Sequence, residues 1–184
     1  MTQKNNIIDY LESLFAILRY EQRDISNAHG LQHVHIQIIT YLGRCNRYSD
    51  THQVLCDYLG LTKGTLSTSV GLLVKKGLLE KLSDPADGRK VHLRLTRTGA
   101  SIYKQLRSSW AKLLQPVESP ATVDSSLNGL LRAIQTTNDN HAFGICHSCK
   151  HLCRAGKQFS CGLTDEPLQI RETEQICVFH AHPD

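Results

Sequence analysis

Apolar residues recur with a helical period along most of the chain. Within residues 6–27, Ile7, Leu11, Leu14 and Leu18 are separated by four, three and four positions, which places them on one face of a helix. A stripe of this kind is usually buried against a partner helix. The same period predicts five further helices, at residues 32–43, 52–59, 63–76, 97–115 and 122–136.

The period changes from 3.6 to two after Gly77. Residues 78–82 and 91–95 read as short strands, and the segment between them is rich in turn-forming and charged residues. Earlier in the chain Gly60 makes a tight turn between two helices, and Thr62 is a suitable N-cap for the second of them. Gly77 is placed to end that helix in a left-handed conformation. We therefore predict a mainly α fold with a small β-hairpin wing, which is a winged helix-turn-helix.

Four segments of this region resemble the MarR family of transcriptional regulators. They are residues 61–67 (LTKGTLS), 73–79 (LVKKGLL), 84–89 (DPADGR) and 95–99 (LTRTG). The resemblance covers residues 6–140 and is strongest at 53–99. It implies a homodimer that binds a palindromic operator in double-stranded DNA. In such a dimer the helices at 6–27, 97–115 and 122–136 would dimerise, and the winged helix-turn-helix at 32–95 would contact DNA.

The resemblance also implies roles for individual residues. The polar side of helix 63–76 should face the major groove, Asp87 should orient the wing, and Arg89 should enter the minor groove. Thr68 and Gly88 stand where the family often has basic residues, so we expect fewer charged contacts to DNA. The candidate DNA-binding residues are Thr62, Lys63, Thr65, Ser67, Thr68, Lys75, Asp87, Arg89 and Lys90.

Composition and charge agree with a DNA-binding protein. The 184 residues are 40% hydrophobic and 21% charged, and no apolar run approaches the roughly 18–20 residues of a membrane span. The N-terminal residues lack the features of a signal peptide, so we predict a cytoplasmic protein. Residues 58–112 hold eleven Lys and Arg against three Asp and Glu, and such a basic block favours binding to a polyanion such as DNA.

Cysteine and histidine are concentrated after residue 140. We predict a MarR-like domain at 1–140, a linker at 137–144 and an irregular, metal-stapled tail at 141–184. In a cytosolic chain, clustered cysteines indicate metal or redox chemistry rather than a disulfide framework. The preferred ligands form the pattern C-x2-C-x11-C-x15-C, in which two residues between the first two thiols let one turn hold both on one metal. These ligands are Cys146, Cys149, Cys161 and Cys177.

The identity of the metal stays open at this point. Zinc and an iron–sulfur cluster both accept four thiolates, and the long later gaps favour zinc. Any of Cys153, His147, His151 and His180 can replace a ligand. The tail also resembles Cys-rich extensions of some MarR-like proteins, through its C-x2-C, the C-x-L at 161–163, the Pro-Leu at 167–168 and a final Cys.

These features predict a sequence-specific transcriptional regulator, a repressor in preference to an activator, whose DNA binding responds to a small molecule, a metal or the redox state. Two alternatives use the tail instead. One is a thiol or redox enzyme based on Cys146 and Cys149, and the other is a metal-dependent protein-interaction module. The sequence contains no nucleotide-binding loop and no convincing catalytic pairing, so we do not expect an enzyme. Cys45 and Cys56 are isolated in the DNA-binding half and should be small, partly buried hydrophobic residues.

Overall fold

A computed structural model describes residues 3–85, 87–137 and 143–183 of the chain. The predicted linker and the boundary at residue 140 lie largely outside these ranges. Within them, the helices begin and end within about three residues of the predicted positions. The helices are α1 (Gln3–Ala28), α2 (His33–Leu42), α3 (His52–Leu59), α4 (Lys63–Lys75), α5 (Arg97–Leu113) and α6 (Pro120–Thr137).

The predicted hairpin follows α4. Strands β1 (Leu79–Ser83) and β2 (Val91–Leu95) pair antiparallel, with Leu79 opposite Leu95 and Ser83 opposite Val91. The order helix, turn, helix and hairpin therefore confirms the predicted winged helix-turn-helix.

Local backbone chemistry sets the ends of α4. Gly60 has a φ of +64° in the turn after α3, and Gly77 has a φ of +68° just beyond α4. Both values lie in the left-handed region that glycine adopts without steric cost. At the other end of α4 the Thr62 side chain accepts a hydrogen bond from the backbone N–H of Thr65 at 3.2 Å. The predicted N-cap and the predicted helix stop are thus both confirmed.

The main core lies between α2, α4, α5 and the wing. Each of these elements contributes deeply buried apolar side chains to this core. The hairpin is therefore packed firmly against the helices. One glycine is required here, because a Cβ on Gly99 would lie 2.1 Å from the carbonyl oxygen of Leu78. The fully buried apolar side chains include Ile36, Ile38, Ile39, Leu66, Val70, Leu73, Leu93, Ile102 and Leu106.

Helices α1 and α6 leave their apolar stripes uncovered in a single chain. No described side chain of α6 is buried, although the helix has a strong apolar face. Pro120, which lies two residues before the predicted start of this helix, is the first residue of α6, where its missing N–H and fixed φ are compatible with a helix start. The exposed apolar residues of the two helices include Ile7, Ile8, Leu14, Phe15, Ile17, Val123, Leu127, Leu131 and Ile134.

The tail is more regular than its sequence indicated. It contains a two-stranded sheet, β3–β7, a three-stranded antiparallel sheet in the order β4–β5–β6, and two short 3-10 helices. The strands are only two to four residues long, which is too short for periodicity to be visible in the sequence. The strands are β3 (Gly144–Ile145), β4 (Leu152–Ala155), β5 (Gln158–Cys161), β6 (Glu166–Leu168) and β7 (Ile176–Cys177), and the 3-10 helices are Cys146–Ser148 and Ile170–Glu174.

Among the helices of the described residues, none is both long and apolar enough to cross a membrane.

Candidate DNA-binding face and cysteine site

One face of α4 is polar and exposed. Leu66, Val70 and Leu73 turn inward and fix the helix on the core. The opposite face carries small polar and basic side chains, a composition that suits the edges of bases and the phosphates of a major groove. Its exposed residues are Lys63, Thr65, Ser67, Thr68, Gly71 and Lys75, and Thr62 is exposed at the N-cap.

Three threonine hydroxyls of this face and its N-cap already form hydrogen bonds within the helix. The Thr68 hydroxyl donates to the carbonyl of Gly64 at 3.1 Å, and the hydroxyls of Thr62 and Thr65 lie 2.9 Å apart. Each hydroxyl keeps further hydrogen-bonding capacity. No side-chain hydrogen bond within the described part of the chain involves Lys63, Ser67 or Lys75. These three side chains are therefore the most available on this face for contacts with a ligand.

Asp87 organises the tip of the wing through backbone bonds. Its side chain accepts the backbone N–H of Arg89 at 3.1 Å, and its own N–H donates to Asp84 Oδ1 at 2.9 Å. The backbone N–H of Lys90 donates to the Asp87 carbonyl at 2.8 Å. The Arg89 and Lys90 side chains are exposed, and within the described ranges Arg89 forms no ion pair. Asp87 therefore shapes the turn, while the Arg89 guanidinium stays available to a ligand.

His92 anchors the base of the wing, a role that the sequence analysis missed. Its Nδ1 contacts the Asp50 carboxylate, and its Nε2 lies 2.9 Å from Asp84 Oδ2. The backbone N–H of Leu93 donates to the Asp50 carbonyl at 2.8 Å. Hydrogen bonds to Asp50 and Asp84 raise the pKa of His92, and burial raises the pKa of Asp50, so the pair retains a proton to higher pH. The alternation of β2 showed that His92 lies on its polar face, but no sequence signal showed which carboxylates it would meet.

The four preferred metal ligands come together from separate parts of the tail. Cys146 and Cys149 flank the first 3-10 helix, Cys161 ends β5, and Cys177 ends β7. Cys146, Cys161 and Cys177 are buried and Cys149 is half-buried. Burial, together with smaller contributions from the thiols of Cys177, Cys149 and Cys161, raises the pKa of Cys146 to about 12. The Cys146 thiol is therefore influenced by each of the other three thiols.

A backbone N–H group also points at one of these sulfurs. The backbone N–H of Ala181 donates to Cys149 Sγ at 3.4 Å. Burial raises the pKa of Cys177, and the Asn46 amide and the Phe179 backbone N–H act in the opposite direction. N–H groups directed at sulfur stabilise the thiolate, which is the form that binds a metal.

The alternative ligands lie less favourably. Cys153 is exposed on β4, and its sulfur lies 3.8 Å from the carbonyl of His151. The Nδ1 atom of His147 lies 3.0 Å from Arg154 Nη2. His180 is buried, and its Nε2 lies 3.1 Å from the Ser148 hydroxyl. Neither these three residues nor His151, the fourth alternative ligand, is among the groups that act on the Cys146 thiol.

Four thiols are suitable ligands for a soft metal, but they are not arranged as a complete coordination shell. Within the described residues, no group of three or more Cys, His, Asp or Glu side chains is arranged to hold a metal ion. The four thiols are neighbours rather than a finished coordination shell, so a metal would have to draw the sulfurs together. None of the seven cysteines forms a disulfide.

Cys45 and Cys56 are both buried in the helical half, as predicted. Burial raises the pKa of both thiols, and for Cys45 the rise is large. Both therefore behave as small hydrophobic side chains.

A cavity of about 920 Å³ lies beside the core, between α1, α2, α3 and α5. Arg19 and Arg44 contribute positive charge to its lining, and Ile176 reaches it from the tail. Three lining residues, Gln22, Thr40 and Trp110, carry a buried side-chain N or O atom without a hydrogen-bond partner among the described residues. A polar ligand that satisfied such atoms would gain binding free energy.

The exposed polar face of α4, with a basic hairpin after it, defines a winged helix-turn-helix protein. Residues 29–90, which hold both helices of the motif and most of the wing, match the sequence model of the MarR family. The resemblance of the winged helix-turn-helix segment to this family is therefore confirmed over these residues.

Several solved structures share the fold at low sequence identity. The transcriptional regulator PA3341 is 21% identical, with a TM-score of 0.59 over 73% of this chain and 99% of that one. FabT of Streptococcus pneumoniae in complex with DNA is 23% identical, with a TM-score of 0.54 over 74% and 99%. CouR from Rhodococcus jostii RHA1 bound to p-coumaroyl-CoA is 13% identical, with a TM-score of 0.55 over 74% and 94%. No curated protein sequence matches the chain.

Proposed function

We propose that this protein is a sequence-specific transcriptional repressor that binds a palindromic operator as a homodimer. The observation that carries the proposal is the exposed polar face of α4, held rigidly by Leu66, Val70 and Leu73. A helix fixed in this way can enter a major groove without paying for its own ordering. The exposed Arg89 at the wing tip supplies a cation for the adjacent minor groove or its phosphates. Such a protein acts where the genome is, in the cytoplasm of a bacterial-type cell.

Dimerisation accounts for the uncovered apolar faces of α1 and α6. A soluble monomer rarely exposes contiguous apolar patches on this scale, so a partner surface is expected there. A second copy of the chain offers the same two faces, which is the requirement of a two-fold interface. Two copies would also present two α4 helices to the two halves of a palindrome.

The direct test is binding to the DNA upstream of the protein's own gene, measured by fluorescence anisotropy against a scrambled duplex. We expect wild type to prefer the upstream fragment, and Ser67→Glu to abolish binding because it places a negative charge on the α4 face. Gln158→Glu adds the same charge in the tail and should bind as wild type. Equal binding of Ser67→Glu and wild type would contradict the assignment of α4.

We also propose that the tail binds a metal through Cys146, Cys149, Cys161 and Cys177. Zinc is preferred, and an iron–sulfur cluster is the alternative. The influence of the other three thiols on Cys146 supports this proposal, as does the backbone N–H of Ala181 directed at Cys149. Elemental analysis and the visible spectrum of anaerobically purified protein separate the two metals. A colourless sample with about one zinc per chain supports zinc, whereas a brown sample with iron and sulfide supports a cluster.

A thiol enzyme based on Cys146 and Cys149 is less well supported. Such chemistry requires an accessible thiolate near neutral pH, whereas Cys146 is buried with a pKa of about 12. Measurable thiol–disulfide turnover by the purified protein would revive this alternative.

A small-molecule effector is the proposed occupant of the cavity beside α1 and α5. Arg19 and Arg44 outnumber Glu12 among the charged lining residues and favour an anionic group. The apolar part of the lining, which includes Phe15 and Leu18, favours an aromatic or aliphatic body. Binding there would act on α2 and α5, the helices that carry the winged helix-turn-helix.

A further inference from the structure

Strand β7 of the tail lies along the segment that follows α2. The backbone N–H of Ile176 donates to the carbonyl of Arg44 at 2.8 Å, and the backbone N–H of Asn46 donates to the carbonyl of Ile176 at 2.9 Å. The backbone N–H of Val178 donates to the hydroxyl of Ser49 at 2.8 Å, and Ser49 has no exposed surface. We refer to this set of contacts as the docking of β7.

The docked strand forms part of the lining of the cavity beside the core. Ile176 is buried, belongs to the main hydrophobic core and lines this cavity of about 920 Å³. Arg44 lines the cavity as well, and its carbonyl is the acceptor of the Ile176 N–H. One apolar and one cationic residue of the lining are therefore held in place by the docking of β7.

The start of the tail supports two tyrosines of the same lining. Phe143 makes an edge-to-face contact with Tyr58, with ring centroids 4.9 Å apart, and the rings of Tyr58 and Tyr41 lie 4.4 Å apart. Both tyrosines line the cavity. The carbonyl of Phe143 accepts a hydrogen bond from Gln135 Nε2 at 3.0 Å, which holds this part of the tail on α6. The tail thus supports the cavity at two separate places.

The helices contribute polar atoms to the lining. Gln22 Oε1, Thr40 Oγ1 and Trp110 Nε1 are buried and have no hydrogen-bond partner among the described residues, and all three residues line the cavity. Buried polar atoms of this kind gain free energy when a ligand supplies the missing partner. The lining therefore offers hydrogen bonds from the helices and an apolar contact from the tail.

We propose that the cysteine-rich tail is a wall of the ligand cavity, so that ligand binding and the docking of β7 stabilise each other. The inference rests on the proposed effector site in this cavity. A ligand that contacts Ile176 and Arg44 binds the form in which β7 is docked, and it therefore opposes release of the strand. By thermodynamic linkage, release of the strand weakens ligand binding to the same extent. The tail thus takes part in binding the effector, and Ile176 helps to determine which ligand fits.

The test uses the full chain and anilinonaphthalene sulfonate, an aromatic anion of the class that the lining favours. Trp110 is the only tryptophan of the chain and lines the cavity, so the single indole N–H signal in an NMR spectrum reports occupancy. Backbone hydrogen exchange at Ile176 and Asn46 reports docking, because these two amides form the bonds between β7 and the segment after α2.

We expect the probe to shift the Trp110 indole signal and to slow exchange at Ile176 and Asn46. At a probe concentration of about a hundred times the Kd, exchange through release of the strand slows by up to about a hundredfold. Amides of the β4–β5 pair lie in the tail but outside the cavity lining. They should exchange at the same rate with and without the probe.

A change in the wall itself should change the binding of the probe. Ile176→Ala removes apolar surface from the lining and should weaken binding by about tenfold or more, measured by titration of the indole signal. Ile170→Ala makes the same truncation at an exposed position of the tail outside this lining and should bind as wild type. If Ile176→Ala does not fold, Ile176→Val removes a single methyl group and should weaken binding by up to about fourfold.

The outcomes separate the inference from the function on which it rests. An indole signal that the probe does not move would contradict the effector site and the inference together. A shifted indole signal with unchanged exchange at Ile176 and Asn46 would overturn the inference and leave the cavity as a ligand site. Equal affinity of wild type and the Ile176 variant would do the same. Slower exchange together with weaker binding by the variant would support the tail as a wall of the cavity.

Discussion

The Asp50 carboxylate contacts Nδ1 of His92, and this pair joins the segment before α3 to the second strand of the wing. Both side chains are largely buried, with 8% and 15% of their surface exposed. Asp84 completes the arrangement from the start of the wing turn. The wing is thus held at its base by two carboxylates on one imidazole, in addition to its backbone hydrogen bonds.

This arrangement predicts a pH-dependent wing. Asp50 and Asp84 raise the pKa of His92 above its ordinary value of 6.5. A group whose pKa is higher in the folded state stabilises that state fully at pH values below its pKa in the unfolded state. This stabilisation is lost as the pH rises through the pKa of the folded state. Burial raises the pKa of Asp50 above its ordinary value of 3.8. The contribution of Asp50 to stability is therefore also lost as the pH rises, but in a more acidic range. We expect the melting temperature to fall as the pH is raised above 6.5. The corresponding loss in the free energy of unfolding is about 1.5–3 kcal/mol, the value for hydrogen bonds to charged groups.

His92→Gln should lower stability at pH 6 and flatten this part of the pH profile. His29→Gln, at a site without these carboxylates, should leave the profile as in wild type. A variant profile that stays parallel to wild type between pH 6 and 9 would remove His92 as the titrating group.

The helical half was predictable because its signals are local. The spacing of Leu66, Val70 and Leu73 determined the face of α4, and Gly60 and Gly77 determined its limits. Helix periodicity and glycine conformation act within a few residues, so sequence alone reveals them.

The segment at residues 43–51 and the tail were not predictable in the same way. Asn46 and Ser49 looked like residues of a polar turn, yet they are buried because β7 packs on them from 130 residues away. The candidate ligands could be chosen by spacing, whereas their convergence depends on strand pairings such as Gly144 with Cys177. Such pairings are long-range, and strands of two residues leave no pattern to read.

Arg89→Ala should weaken operator binding and reduce its dependence on salt. The guanidinium is exposed at the wing tip without an ion pair among the described residues, so it is available to phosphates or to the minor groove. Loss of one phosphate contact lowers the slope of log K against log salt by about 0.9. Anisotropy titrations over several salt concentrations measure both quantities. Lys157→Ala removes an equal charge in the tail and should change neither, and an identical slope for Arg89→Ala would place Arg89 outside the interface.

Leu131→Lys should dissociate the homodimer. Leu131 is 52% exposed on the apolar face of α6, where a charge would be buried against the second copy. We expect sedimentation analysis to give a monomer, or at least about a tenfold weaker dimer, since an unpaired buried charge costs more than 1.4 kcal/mol. Ser125→Lys adds the same charge on the side of α6 opposite to the apolar stripe and should remain dimeric. A dimeric Leu131→Lys protein would place the interface elsewhere.

The two cysteines of the β4–β5 hairpin should differ in their effect on metal content. Cys161 is buried and acts on Cys146, whereas Cys153 is exposed on the neighbouring strand. We therefore expect Cys161→Ser to lose the metal and to lower the melting temperature, because metal binding contributes folding free energy to a small, core-poor segment. Cys153→Ser should retain one metal per chain and the wild-type melting temperature. Elemental analysis and thermal unfolding of both variants measure these differences. If Cys153→Ser lost the metal and Cys161→Ser retained it, Cys153 would replace Cys161 as the ligand.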